Sequence, residues 1–146
     1  MTRIATEVTF RSSTFKPTVG ELDAKSEDFI NPGVFAKEAA DFIAEGLTKA
    51  GWVVKDNFTE DWGRWVEVEN PDGFFLAVGV ANFDEVERRS VETTTHRAFV
   101  EPNTSPITKF FFKKIGTEAQ VKKLLGSLRA VLESDPSITD IKLEES

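Results

Sequence analysis

No cysteine occurs in the 146 residues, which excludes disulfides, thiol nucleophiles and Cys-ligated zinc or iron–sulfur centres. Histidine occurs once, as His96, so neither an HExxH pair nor any other two-histidine metal site can be built. No stretch approaches the roughly 20 apolar residues of a membrane helix. The segment MTRIATEVTF lacks the continuous apolar core of a secretory signal, and the expectation is a cytoplasmic protein that engages no membrane. Basic residues are in deficit, with 18 Lys and Arg against 25 Asp and Glu and a formal net charge of −7. Nucleic-acid binding is disfavoured, because phosphate contacts need a surplus of cations. Gly-Lys-Ser/Thr, GxGxxG and GxSxG motifs are absent, as is the Lys/Arg-Gly-Phe/Tyr signature of RNA-binding sheets. No cofactor and no metal is therefore expected.

Aromatic side chains are abundant, with 13 Phe and three Trp but no Tyr. Most of the Phe rings, having no polar handle, are expected in the core. A chain of this length buries roughly 68–70% of its unfolded surface as one domain, and no linker or repeat divides residues 1–146.

Periodicity supplies the elements. Arg3 to Arg11 alternates as a strand, with Ile4, Val8 and Phe10 on one face. Ser12 to Ile30 reads as a long connection with a turn at Thr18–Glu21. Asn31-Pro32 predicts a helix start, Asn as N-cap and Pro at the first helical position. Phe35, Ala39, Phe42, Ile43 and Leu47 form the apolar stripe of that helix, and Gly51 ends it. Trp52–Val54 opens a strand that Asp56-Asn57 breaks, Trp65–Glu69 continues as strand, and Asn70-Pro71-Asp72-Gly73 is a hairpin turn. Phe74–Val80 is apolar on both faces, as a central strand should be. Asn82–Thr95 reads as a loop, His96–Glu101 as a strand, and Pro106–Ile115 as either an edge strand or a helical turn. Thr117-Glu118-Ala119-Gln120 resembles a capping box ahead of a helix buried through Val121, Leu124, Leu125, Leu128, Val131 and Leu132. Asp135-Pro136 stops that helix, and Ile138–Leu143 is a last strand with Ile141 and Leu143 on one face. The order implies an α+β fold: a two-layer sandwich with a mostly antiparallel sheet of five to six strands and both helices on one face, a ferredoxin-like split βαβ variant.

Two groups of residues are candidates for a site. The stretch TEDWGRWVEVE gathers Glu60, Asp61, Trp62, Arg64 and Trp65. Two indoles beside an arginine are what a protein interface tends to contain, although a strand entering a sheet explains them more simply. Arg11, Arg88, Arg89 and His96 could line an anion or small-molecule cleft between the 12–30 and 82–95 segments. As a lone histidine at a strand start, His96 is more simply a structural side chain with its hydrogen bonds satisfied than a catalytic base. The bases Lys109, Lys113, Lys114, Lys122, Lys123 and Arg129 form a local basic face whose simplest reading is a solvated helix and strand edge. In the segment KFFFKKI lies an apolar edge that would serve a homo-oligomer.

The combination of INPG at Ile30–Gly33, EDWG at Glu60–Gly63 and the closing SDP at Ser134–Pro136 resembles a family of small bacterial proteins of unknown function, over nearly the whole chain. That resemblance implies a bacterial, single-domain protein and carries no activity or site residue. The expected function is a non-enzymatic binding module, immunity- or inhibitor-like, that masks a basic protein partner. The competing expectation is a small-molecule or anion-binding protein, or an enzyme, using the arginine and histidine cleft.

Overall fold

A computed structural model of the chain describes residues 5–82, 94–103 and 117–145. The elements are β1 (Ala5–Ser12), α1 (Val19–Leu22), α2 (Lys37–Lys49), β2 (Val54–Glu60), β3 (Gly63–Val68), β4 (Phe75–Asn82), β5 (Thr94–Asn103), α3 (Glu118–Glu133) and β6 (Ile138–Glu145). The six strands form one sheet in the order β2-β3-β4-β5-β1-β6, with every neighbouring pair antiparallel. The fold is α+β. Because each pairing reverses direction, β5 and β6 run the same way on either side of β1. Helix α2 lies against β2 and β3, α3 lies against β5, β1 and β6, and the two helices touch. Among the described residues no helix is long and apolar enough to cross a membrane. The segment Pro106–Ile115, which includes the KFFFKKI edge, lies outside the described residues, as does most of Asn82–Thr95.

Alternation decides which side chains are buried. Val8 and Phe10 of β1, Val66 and Val68 of β3, Leu76, Val78 and Val80 of β4, and Ala98 and Val100 of β5 share one cluster with Ala40, Ile43 and Leu47 of α2 and Leu124, Leu128 and Leu132 of α3. Each fully buried aliphatic side chain there is worth roughly 1.5–3 kcal/mol, far more than the few tenths contributed by the exposed i,i+4 ion pairs along the helices. Burial of the helical stripe, rather than surface charge, holds the helices on the sheet.

The start of α2 differs from the sequence expectation. Asn31-Pro32-Gly33 is a turn, with the Val34 amide donating to the Asn31 carbonyl at 3.0 Å and Gly33 at a φ of 81°. That φ lies in the left-handed region, which a continuing helix cannot pass through. Asn31 spends its side-chain amide on the Asp61 carbonyl at 2.8 Å, and the helix begins only at Lys37, behind Ala36, which has no capping side chain of its own. The cap comes from Glu21 instead. Its Oε2 accepts the amides of Ala36 at 2.6 Å and Lys37 at 3.0 Å, while Oε1 accepts the Thr18 amide at 3.1 Å and hydroxyl at 3.2 Å. Both carboxylate oxygens are occupied, the side chain is buried, and its charge sits at the positive end of the helix. The turn expected at Thr18–Glu21 is thus a short helix closed by a true capping box, Thr18 with Glu21.

Two further expectations are corrected. Thr117 makes no capping bond to α3, because it takes helical backbone angles that turn its hydroxyl away from the N3 amide. β2 is not broken at Asp56-Asn57: it runs through them with a register shift between Val54 and Asp56, and as an edge strand it leaves Asp56 in solvent while the half-buried Asn57 finds side-chain partners. In β6, Asp140 has a φ of 53°, and the register with β1 shifts there. Beyond that irregularity Ile141, half-buried against the core, and Leu143, paired with the core-facing Val8, lie on one face, and at the edge of the sheet Leu143 is left 41% exposed. The C-terminus of α2 behaves as the sequence implies. The Gly51 amide donates to Thr48 at 3.1 Å and the Trp52 amide to Leu47 at 3.0 Å, the paired bonds of a glycine-terminated helix. The Asn70–Gly73 turn also forms, its closing bond running from the Gly73 amide to the Asn70 carbonyl at 3.2 Å.

Replacing Glu21 by Ala leaves two helix amides and the Thr18 amide without an acceptor. The expected loss is about 2 kcal/mol or more in urea unfolding. Asn31→Ala removes one exposed bond and should cost about 1 kcal/mol or less. Equal losses for the two variants would show that the distant carboxylate does not set the start of α2.

Candidate functional site

The sheet's second face carries the other half of each alternation. Phe58, Trp65, Gly79, Phe99 and Glu7 stand directly across from one another on β2, β3, β4, β5 and β1. In the next rank Glu67 faces Ala77 and Ala77 faces Glu101. On this face β4 offers Phe75 at its start and then only Ala77, Gly79 and Ala81, so beyond Phe75 the large side chains of β3 and β5 lean in over it. A Cβ on Gly79 would come within 2.3 Å of the Phe99 ring, so the ring's position requires glycine beneath it.

The β2–β3 connection is only Asp61-Trp62, since Glu60 already pairs with Gly63. Trp62 lies back over the sheet, edge-to-face with Trp65 at 4.9 Å and 90°, and tilted against Phe99 at 5.1 Å. Trp65 in turn meets Phe99 at 5.4 Å and Phe75 at 5.8 Å. These rings with Phe58, Glu60 and Glu101 line a hollow of about 510 Å³. Both indoles are half-buried, each with surface left for a further contact.

The charge of the hollow is negative. Among the described residues Glu60 and Glu101 have no ion pair, whereas Glu67 is paired with Lys55 at 3.4 Å and Glu7 with Arg97 at 2.8 Å. The Arg97 guanidinium also rests over Phe99, 4.9 Å from its centroid.

The stretch TEDWGRW is therefore divided. Glu60, Trp62 and Trp65 line the hollow, and Asp61 is exposed at the turn. Arg64 points to the opposite face and is buried. Its Nε donates to the Asn57 side chain at 2.9 Å and its NH2 group to the Asn57 carbonyl at 3.1 Å. Asn57 continues to Asp41 of α2 at 2.9 Å, so Arg64 ties the β2–β3 hairpin to a helix. Sequence reasoning missed Phe58, Phe75, Phe99 and Glu101. Strand alternation puts Phe99 and Glu101 opposite Ala98 and Val100, but only the pairing order brings them beside Trp65.

The second group does not converge among the described residues. Arg88 and Arg89 lie outside them. Arg11 is exposed and follows Phe10, which pairs with His96 on the buried face, so Arg11 and His96 occupy opposite faces. His96 is fully buried, stacked on Phe10 at 5.4 Å and met edge-on by Phe15 at 5.8 Å and Phe35 at 5.6 Å. Neither ring nitrogen has a hydrogen-bond partner among the described residues. Burial, with a smaller contribution from the charge of Lys16, lowers its pKa to about 4. The surroundings keep this imidazole neutral and out of reach of a substrate.

Of the local basic face, Lys122 and Arg129 pair along α3 with Glu118 at 2.9 Å and Glu133 at 2.7 Å. Lys123 lies over Trp52 at 5.1 Å, and Lys109, Lys113 and Lys114 lie outside the described residues. Among the described residues no three His, Asp or Glu side chains come together to hold a metal ion. No protein-family model matches the chain, and no curated protein or solved structure is significantly similar to it.

His96 yields a pH prediction. The unfolded chain takes up the imidazole proton near 6.5 and the folded protein only near 4. Its neutral burial thus costs no stability above pH 6.5. Acidification then favours the unfolded chain, by about 3 kcal/mol at pH 4. His96→Phe should reduce the stability lost between pH 7 and pH 4 by about that amount in urea titrations. An unchanged loss would contradict the burial argument, whatever the variant's stability at pH 7.

Proposed function

We propose that the protein is a non-enzymatic binding module of the bacterial cytoplasm, immunity- or inhibitor-like, that docks a basic protein partner on the open face of its sheet. One observation carries the reading: Trp62, Trp65 and Phe99 are gathered, half-exposed, beside two carboxylates that have no cation among the described residues. Aromatic anchors of this kind dominate interface energetics. The net charge of −7 favours encounter with a cationic surface and speeds it at low salt. The neutral, caged state of His96 argues against the arginine and histidine cleft.

For the architecture we infer a two-layer sandwich of the ferredoxin-like, split βαβ kind. Two features support it: α3 joins β5 to β6 across β1, and both helices share a single buried cluster with the same strand faces. One layer of helices would leave the second face of the sheet to a partner.

The test is recovery of a partner from native host lysate on immobilised protein, with Trp62→Ala first shown to be folded by its melting curve. Near-stoichiometric recovery should be lost in that variant, since removing a central Trp weakens binding by about 30-fold or more. Lysine at Glu60 and Asp61 should weaken binding, with the deficit shrinking as salt is raised. A partner held equally well by all variants would refute the docking face.

A further inference from the structure

We propose that the hollow between Trp62, Trp65, Phe75 and Phe99 is a receptor for one arginine side chain of a polypeptide. The proposal deepens the docking reading and rests on it for the site's location. Its lining contains two carboxylates and no base. A ligand that fills the hollow strips water from the half-buried Glu60 and from part of the exposed Glu101, and desolvating a carboxylate without a counter-charge is unfavourable. A neutral ligand leaves that cost unmet, and an anion adds repulsion. A cation offsets it and gains attraction from the ring faces as well.

Arginine is favoured over other cations by what the same face already builds. The Arg97 guanidinium rests on Phe99, 4.9 Å from its centroid, with its charge met by Glu7 at 2.8 Å. An aromatic surface and a carboxylate thus hold one partly exposed guanidinium on this face. Trp62, Trp65, Glu60 and Glu101 repeat the receiving half of that arrangement without its cation. A guanidinium lies flat on an indole and still offers several N–H donors to carboxylates at its rim. A quaternary ammonium has no donor and would leave both carboxylates unbonded. A bare metal ion would find two carboxylates and no further oxygen side chains in the lining.

The three indole N–H groups provide a direct readout. In ¹⁵N-labelled full-length protein they give separate resonances, and Trp52, whose Nε1 is bonded to Ser127 at 2.9 Å on the other side of the sheet, serves as an internal control. Titration with acetyl-Gly-Arg-Gly-amide should shift the Trp62 and Trp65 resonances saturably and leave Trp52 in place. The citrulline peptide, equal in shape and uncharged, should bind about 10-fold more weakly. Glu60→Gln with Glu101→Gln should weaken arginine binding about as much, while a folded protein keeps the Trp52 resonance unmoved.

Equal shifts from the citrulline peptide, or no shift from either, would overturn the proposal. So would saturation by tetramethylammonium but not by the arginine peptide, which would mark an aromatic cage for alkylated ammonium groups. The docking reading fails separately. A partner lost on Trp62→Ala without any arginine response leaves docking intact and removes the arginine receptor.

Discussion

Past Phe75, strand β4 sends Leu76, Val78 and Val80 into the core on one side and shows only Ala77, Gly79 and Ala81 on the other, and both faces of the sheet are built around that asymmetry. The large residues interlock with the helices and supply the hydrophobic stabilisation. The small ones leave room above the strand, which the rings of Phe99 and Trp65 fill from either side. Under Phe99 the room must be complete: a single Cβ at Gly79 would lie 2.3 Å from the ring. A larger residue there would lift Phe99, and with it the surface against which Trp62 and Trp65 are packed.

The position of Trp62 also depends on contacts far away in sequence. The turn that carries it is bonded through the Asp61 carbonyl to Asn31. The following backbone is clasped by Asn82, whose side chain accepts from the Phe35 amide at 3.1 Å and donates to the Gly33 carbonyl at 2.9 Å. Glu21 then fixes the next amides, Ala36 and Lys37. Segment 31–37 is therefore held between the end of β4, the β2–β3 turn and the start of α2. The same asparagine that looks like a helix cap instead braces the aromatic face. An interface residue held in place before binding loses less entropy on contact than a mobile one.

Much of this was legible in the residues and some was not. Helix stripes, the Gly51 stop and the Asn70–Gly73 turn are local signals, and local physics decides them. The start of α2 is not local. Asn31-Pro32 satisfies the rules for a helix start, but a buried carboxylate ten residues upstream of Asn31 claims the helix amides. The pattern Thr18-Val19-Gly20-Glu21 does match a capping box, yet no apolar run follows to advertise a helix. His96 could have been placed by parity with Ala98 and Val100, which puts it in the core. The aromatic hollow was half visible: Trp62 and Trp65 stood out as a pair, whereas Phe58, Phe75 and Phe99 read as core because phenylalanine usually is. Only the pairing order of four strands brings them together, and no spacing within the chain encodes that order.

The central claim is that this aromatic face is open and negatively charged. Its most direct test is collisional quenching of indole fluorescence in a Trp52→Phe background, where only Trp62 and Trp65 emit. Caesium should quench more strongly than iodide at low ionic strength, with the difference narrowing as salt screens Glu60 and Glu101. Emission shielded from both ions, or quenched more readily by iodide, would contradict an open anionic face.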